Sequence, residues 1–134
     1  MPNDNRMALS KARLEKAYEC LRDAQGLLSG ESLNGAVNRS YYSIFHAMRA
    51  VLALTCYDSK KHSGIISEFR RLFIKTGVFP KEFSRIVENA FTARGNSDYE
   101  DFFIISKEEV SDQIKDTKAF LEAVEAYICG TFSE

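Results

Sequence analysis

One segment, residues 38–49, places a cation, two phenols and an imidazole in a stretch that is otherwise largely apolar. It reads NRSYYSIFHAMR, and in a helix Arg39 and His46 share one face, about 10 Å apart along the axis, with Tyr42 between them. A guanidinium near an imidazole suits a phosphate group, which would give this face a role in binding or chemistry. A structural role also fits, with Arg39 paired with a carboxylate of another helix and His46 a hydrogen-bonded core histidine. The segment alone leaves both interpretations open.

Length and charge limit the kinds of protein that this chain can be. Its 134 residues predict a single domain over residues 1–134, and a hydrophobic content of 45% is ordinary for a globular core. The 18 lysines and arginines against 19 aspartates and glutamates exclude a global positive field that would draw the chain onto nucleic acid. Any contact with RNA must be local. Residues 60–75 form one basic segment, a pattern that is also typical of a solvated helix face.

The three cysteines are far apart, with no CxxC pair and no histidine at metal-ligand spacing. We therefore expect Cys20, Cys56 and Cys129 to be reduced core residues, and we expect no metal site and no cofactor. No apolar run follows the N-terminal MPNDNRM, and no segment approaches the ~20 apolar residues that cross a bilayer. These features predict a cytoplasmic protein with no membrane association.

Apolar residues recur at spacings of three and four along most of the chain, which predicts an all-α protein. We expect helices over about residues 7–29, 34–55 and 63–76, a fourth helix with Pro80 in its first turn, and a last helix after Ser106. No period-two run indicates a strand. Four long helices and one short helix joined by short loops predict an antiparallel up-and-down four-helix bundle with an additional short helix.

Several residues predict where these helices begin and end. Ser106 and Glu109 form a capping-box signature for the last helix. Ser63 is a plausible N-cap of the third helix, and Gly77 suits a left-handed cap at its C-terminal end. Residues 95–96, Gly-Asn, are expected to break or loosen the fourth helix.

Three separated motifs follow one another along the chain: NRSYYSIFHAMRAVL, KKHSGIISEFRRLFIKTG and ARGNSDYEDF. In that order, between two amphipathic helices, they resemble the HEPN domain family (higher eukaryotes and prokaryotes nucleotide-binding), in particular its small stand-alone prokaryotic branch. The resemblance covers nearly the whole chain. It implies a helical bundle that forms a homodimer and belongs to a toxin–antitoxin-like system with a minimal nucleotidyltransferase.

The resemblance also implies a metal-independent ribonuclease site, with an arginine followed a few residues later by a histidine on a late helix. That histidine acts as general base or acid on the ribose 2′-hydroxyl, and the arginine stabilises the phosphorane charge. Here the late helix reads RGNSDY from Arg94 to Tyr99, so Asp98 stands where the histidine is expected. Arg39 and His46 have a similar spacing on the second helix and mark a candidate relocated site, which Arg94 would complete.

Two functions of different class remain. The first is a ribonuclease-like toxin, or an RNA or nucleotide binder derived from one, with Arg39, His46 and Arg94 as the catalytic candidates. The binding candidates are Tyr42, His62, Asp98 and Tyr99. The second is a catalytically inactive protein–protein interaction module, in which Arg39 and Asp98 form a buried salt bridge and Tyr42 and His46 complete its hydrogen bonds.

His62 and residues 102–105 complete the predictions. His62 lies at a loop-to-helix junction, where an imidazole either caps the helix or meets a phosphate. Residues 102–105, Phe-Phe-Ile-Ile, are four consecutive apolar side chains that no single helix face can bury. This apolar surplus favours a symmetric homodimer.

Overall fold

The computed structural model describes residues 2–132, and the side chains of residues 5–131. All of its regular elements are helical, which confirms the all-α prediction. The helices are α1 (Pro2–Ser29), α2 (Leu33–Ala53), α3 (His62–Phe69), α4 (Glu82–Tyr99) and α5 (Lys107–Phe132). A π-helical turn, Arg70–Ile74, extends α3 directly. No helix among the described residues is long and apolar enough to cross a membrane.

The second helix, α2, is the centre of the fold and contacts every other helix. It is buried on most of its circumference because small and aliphatic residues such as Ala36, Val37, Ile44, Ala47 and Val51 alternate around it. Its long polar and charged side chains therefore share the remaining stripe, where they are half-buried. That stripe consists of Arg39, Tyr42, His46 and Arg49.

Two buried serines join α1 to α2. The Ser10 hydroxyl donates to the carbonyl of Ala50, and the Ser43 hydroxyl donates to the carbonyl of Ala17, each over 2.7 Å. Because residue 10 meets residue 50 and residue 17 meets residue 43, the two helices are antiparallel. A third buried contact, 2.8 Å between the hydroxyls of Ser40 and Thr117, joins α2 to α5. The up-and-down order of all four long helices stays a prediction.

Stacked phenylalanines hold α3 and its π-helical turn against α4 and α5. Neighbouring rings in this stack have centroids between 4.9 and 5.8 Å apart. Its members are Phe69, Phe73, Phe79, Phe83 and Phe120. Aromatic rings contribute large buried areas, so this stack fixes the C-terminal end of α3 relative to α4 and α5.

The predicted helix ends are partly confirmed. At α5, the Ser106 N–H donates to Glu109 Oε1 over 3.1 Å and the Glu109 N–H donates to Ser106 Oγ over 3.0 Å, which is the predicted capping box. Gly77 adopts φ +83° after the π-helical turn, as predicted for a C-terminal cap. The predicted N-cap at Ser63 is wrong, because α3 already begins at His62 with Lys61 in the cap position.

Two further predictions are wrong. Helix α4 does not break at residues 95–96 but continues to Tyr99. A single glycine costs a helix only about 1 kcal/mol, and an ion pair between Arg94 and Asp98 spans it one turn apart. Cys20 is buried, but Cys56 and Cys129 are exposed and so are not core residues.

Candidate functional site

Aromatic and cationic side chains from three helices meet at one end of α3. Helix α2 contributes Tyr41, Tyr42 and Phe45, α3 contributes its first residue, His62, and α4 contributes Arg94. We call these five residues the His62–Arg94 cluster. It lies beside the half-buried stripe of α2, so the motifs that are separate in the sequence converge on it.

The imidazole of His62 is held on two sides. Its ring stacks on Phe45 with centroids 4.1 Å apart and an interplanar angle of 27°. Its Nδ1 lies 2.7 Å from the hydroxyl oxygen of Tyr41, a side chain with no exposed surface. Burial raises the pKa of Tyr41 to about 12, so this hydroxyl stays protonated. The two contacts fix the plane and the direction of the imidazole.

The loop before α3 positions His62 from outside the cluster. Asp58 in this loop accepts hydrogen bonds from Arg13 of α1 and Arg49 of α2, each at 3.2 Å. The loop also approaches α3 so closely that a Cβ atom on Gly64 would lie 2.7 Å from Ser59 Oγ. A glycine at this position therefore permits the contact that brings the loop and the start of α3 together.

The guanidinium of Arg94 is oriented by both tyrosines and by Asp98. Its Nη2 donates to the Tyr42 hydroxyl over 3.2 Å, and its carbon lies 5.1 Å from the centroid of the Tyr41 ring. Its Nε lies 3.2 Å from Asp98 Oδ2, as an ion pair rather than an aligned hydrogen bond. The Arg94 and Asp98 side chains are 18% and 33% exposed, so a solute can reach this pair.

The partner of Asp98 tests the predicted buried salt bridge. Asp98 pairs with Arg94 of its own helix, so the predicted bridge between Arg39 and Asp98 is wrong. The reason is local, because residues four apart on α4 are neighbours on one helix face. Arg39 instead lies over the Tyr42 ring, 5.2 Å from its centroid. Tyr99, the last residue of α4, is 80% exposed and points away from the core.

His46 lies one turn beyond Tyr42 and faces a different set of charges. It lines a groove of about 720 Å³ between α1 and α2, together with Arg13, Lys16 and Arg49. Its Nδ1 has no hydrogen-bond partner among the described residues, so it is not the hydrogen-bonded core histidine of the structural interpretation. The histidine that the structure brings to Arg94 is therefore His62, while Arg39 and His46 flank the cluster along α2.

Both histidines are less basic than a free imidazole. Burial, followed by the charges of Lys16, Arg49, Arg39 and Arg13, lowers the pKa of His46 to about 4. Burial, followed by the charges of Arg94 and Arg49, also lowers the pKa of His62. At neutral pH both imidazoles are therefore uncharged. A neutral His62 can accept a proton at Nε2 in the tautomer whose Nδ1–H donates to Tyr41.

No described group of three or more histidine, cysteine, aspartate or glutamate side chains has the arrangement of a metal site. The polar chemistry of the His62–Arg94 cluster is that of one cation, one neutral imidazole and two phenols. Such a set can bind an anion at Arg94 and move a proton at His62.

Comparison with known proteins identifies the family. Residues 10–127 match the family model described as the HEPN domain. The chain belongs to the HEPN domain family. A UPF0332 protein of Thermotoga maritima is 39% identical over 113 residues, which cover 84% of this chain and 86% of the relative. A protein of Methanocaldococcus jannaschii that carries the name "Putative toxin" is 32% identical over 115 residues, covering 86% of this chain and 78% of that protein.

Sequence reasoning named His62 and Arg94 but missed the residues that join them. Tyr41 and Phe45 lie on the buried side of α2, where aromatic residues are expected to be simple core. Their spacing of four was a signal for a shared face, but nothing in the sequence indicated that the start of α3 packs against it. The histidine of the KKHSG motif therefore had no visible partner.

The Tyr41–His62 contact predicts a specific loss of stability. Tyr41→Phe keeps the ring but leaves Nδ1 of His62 without its partner, so we expect the free energy of unfolding to fall by about 1 to 2 kcal/mol. Tyr99→Phe is the matched control, because the Tyr99 side chain is exposed, and it should change stability by less than about 0.5 kcal/mol. Urea denaturation of both variants gives the comparison. Equal effects would contradict a structural bond at Tyr41.

The lowered pKa of His46 predicts a pH dependence of stability. Its pKa is about 4 in the folded protein against 6.5 for the free side chain, so the unfolded chain binds the proton first as the pH falls. The contribution of neutral His46 to the stability of the folded protein is complete above about pH 6.5 and is lost as the pH falls towards 4. Between pH 7 and pH 5, we expect the free energy of unfolding to fall by about 1 kcal/mol less in His46→Gln than in the wild type, after allowance for solvent screening.

Denaturation curves at the two pH values provide this measurement. Carboxylates titrate alike in both proteins, so the difference between the two proteins isolates the histidine. Parallel losses in the wild type and in His46→Gln would mean that His46 is protonated normally in the folded state.

Proposed function

We propose that this HEPN protein is the toxin of a toxin–antitoxin-like pair and that it acts on RNA through the His62–Arg94 cluster. The observation that carries the proposal is the partly exposed Arg94 side chain in one cluster with a neutral, oriented His62. Helix α4 supplies the arginine expected of the family. The histidine expected on the same helix is replaced by Asp98, and α3 supplies His62 in its place. A site assembled in this way needs no metal ion.

The cluster supports a ribonuclease reaction in which His62 handles the proton. Its Nε2 takes the proton of a ribose 2′-hydroxyl while that oxygen bonds to the adjacent phosphorus. The bond from phosphorus to the 5′-oxygen then breaks, and the proton returns from His62 to that oxygen, leaving a 2′,3′-cyclic phosphate and a 5′-hydroxyl. Arg94 stabilises the additional negative charge on the phosphorane.

The remaining candidate residues have supporting roles in this proposal. Tyr42 accepts a hydrogen bond from Arg94, and Asp98 pairs with it, so both hold the guanidinium in place. Arg39 and His46, on the same stripe of α2, extend the surface for neighbouring phosphates. The lowered pKa of His46 suits a hydrogen-bonding role there, since its imidazole carries no charge at neutral pH.

The biological setting is inferred from relatives. The name of the M. jannaschii protein classes that relative as a candidate toxin. For this chain we propose the same class, with a minimal nucleotidyltransferase as the antitoxin partner. The alternative is an inactive interaction module. The buried Arg39–Asp98 bridge expected for it is absent, since Asp98 pairs with Arg94.

The proposed reaction predicts which variants lose activity. Arg94→Ala and His62→Gln should each reduce RNA cleavage and growth inhibition on overexpression at least a hundredfold, because each removes a group used in the transition state. Arg85→Gln is the control, since Arg85 is an exposed arginine on the same helix. Circular dichroism should show the same helical content in all three variants.

Cleavage of a fluorescent RNA, analysed for cyclic phosphate ends, tests the chemistry directly. Full activity of either the Arg94 or the His62 variant would rule out the assigned roles. A wild-type protein that neither binds nor cleaves RNA would leave the interaction module as the better description.

We also propose that the protein forms a homodimer through the C-terminal end of α4 and the loop after it. Three large apolar or aromatic side chains are exposed there: Tyr99 (80%), Phe102 (93%) and Ile104 (89%). Such a concentration of exposed apolar surface is unusual for a monomer and is typical of an interface.

The dimer proposal predicts a molecular mass near twice 15.2 kDa in light scattering at tens of micromolar protein. Replacing both exposed large apolar residues of the loop, Phe102→Ser with Ile104→Ser, should yield a monomer of unchanged helical content. Val78→Ser is a control outside this patch, since Val78 is 42% exposed. A wild-type monomer at this concentration would contradict the proposal.

A further inference from the structure

A second groove opens beside the His62–Arg94 cluster, between α3 with its π-helical turn and α4. Its volume is about 420 Å³, within the range of small-ligand sites. Its floor is apolar, formed by Ile66, Val87 and the ring of Phe91. Phe91 is 42% exposed although it is a large aromatic residue, so part of its side chain is accessible.

The rim of this groove is cationic although the chain as a whole carries a net charge of −1. Arg70, Arg71 and Lys75 line it, together with the carboxylate of Glu88. Arg71 is already paired with Glu68 over 2.7 Å, so Arg70 and Lys75 are the cations that a ligand can meet. The Glu88 side chain is 70% exposed and its contact with Arg70 is 3.6 Å long, so solvent screens this pair strongly. The local charge therefore favours an anion.

One nitrogen on this rim has no acceptor. Nε of Arg70 is buried and lacks a hydrogen-bond partner among the described residues. Arg70 is the first residue of the π-helical turn, in which the Lys75 N–H donates to the Arg70 carbonyl over 2.9 Å. π-Helical turns of this kind are frequent at functional sites. An unpaired N–H is costly, and the arginine that carries it lines the groove, which favours a ligand there.

The groove and the cluster share a wall. Phe91 lines the groove and also contacts the Tyr41 ring of the cluster, with centroids 5.8 Å apart. Ser63 lines the groove and follows His62 directly in the sequence. A chain of phosphates and bases bound at Arg94 would therefore pass into the groove.

We propose that this groove binds the nucleotide next to the reacting phosphate of a single-stranded nucleic acid, with its base on Phe91 and its phosphate against Arg70 and Lys75. The inference rests on the proposed function, since it extends the site at Arg94. An apolar floor with one partly exposed aromatic ring suits a base that is unstacked, and a duplex hides the faces of its bases. The cationic rim completes a binding surface for one nucleotide unit.

Binding measurements with a fluorescent 2′-fluoro uridine octamer, which has no 2′-hydroxyl to react, test the inference. Phe91→Leu keeps the floor apolar but removes the stacking surface, and it should weaken octamer binding about tenfold. Lys75→Gln, on the exposed rim, should weaken it about threefold and reduce the slope of log affinity against log salt by about 1. Arg85→Gln should leave the affinity unchanged.

The outcomes separate this inference from the proposed function. Octamer binding that is lost in Arg94→Ala but unchanged in both groove variants would overturn the groove and retain the cluster. A wild-type protein that does not bind the octamer would overturn both. A deoxyuridine octamer measured in parallel identifies the ligand. If the groove variants weaken its binding as much as they weaken binding of the 2′-fluoro octamer, the site takes single strands of either sugar. If the wild type binds the deoxy strand more weakly, the site takes RNA.

Discussion

The burial of α2 by all the other helices is the constraint on which the rest of the structure depends. A helix surrounded in this way has a single stripe on which long polar side chains can reach solvent, and Arg39, Tyr42, His46 and Arg49 occupy it. Two of these side chains have their partners on elements that border the stripe. Asp58 of the loop before α3 accepts a hydrogen bond from Arg49, and Arg94 of α4 donates one to Tyr42, so the site forms where those elements meet.

The electrostatics of the site follow from the same arrangement. Arginines from α1, α2 and α4 surround two histidines that the fold already half-buries, and both effects lower the histidine pKa values. Carboxylates are placed to orient the arginines rather than to charge the imidazoles: Asp58 joins Arg13 and Arg49, and Asp98 pairs with Arg94. The result is a neutral proton acceptor in a positive environment, which is the combination required for reaction at a phosphate.

The continuous α4 helix connects the two parts of the proposed binding surface. Because the helix does not break at Gly95, Arg94 and Asp98 remain one turn apart and Phe91 remains one turn before Arg94. Phe91 separates the His62–Arg94 cluster from the groove and contacts residues of both. Arg94 and Phe91, the proposed phosphate and base contacts, thus lie about one turn apart on a single helix.

The sequence by itself determined the helical class, the approximate helix positions, the capping box at Ser106 and the family. These depend on local periodicity and on motifs that a single segment contains. It also indicated Arg94, His62 and Asp98 as residues of interest, but it could not pair them. The pairing of Asp98 with Arg94 depends on α4 continuing through Gly95, and whether Arg94 meets His46 or His62 depends on how α3 and α4 pack against α2. Only the tertiary structure decided this, because the contacts of Tyr41 with His62 and of Tyr42 with Arg94 join residues that are 21 and 52 positions apart.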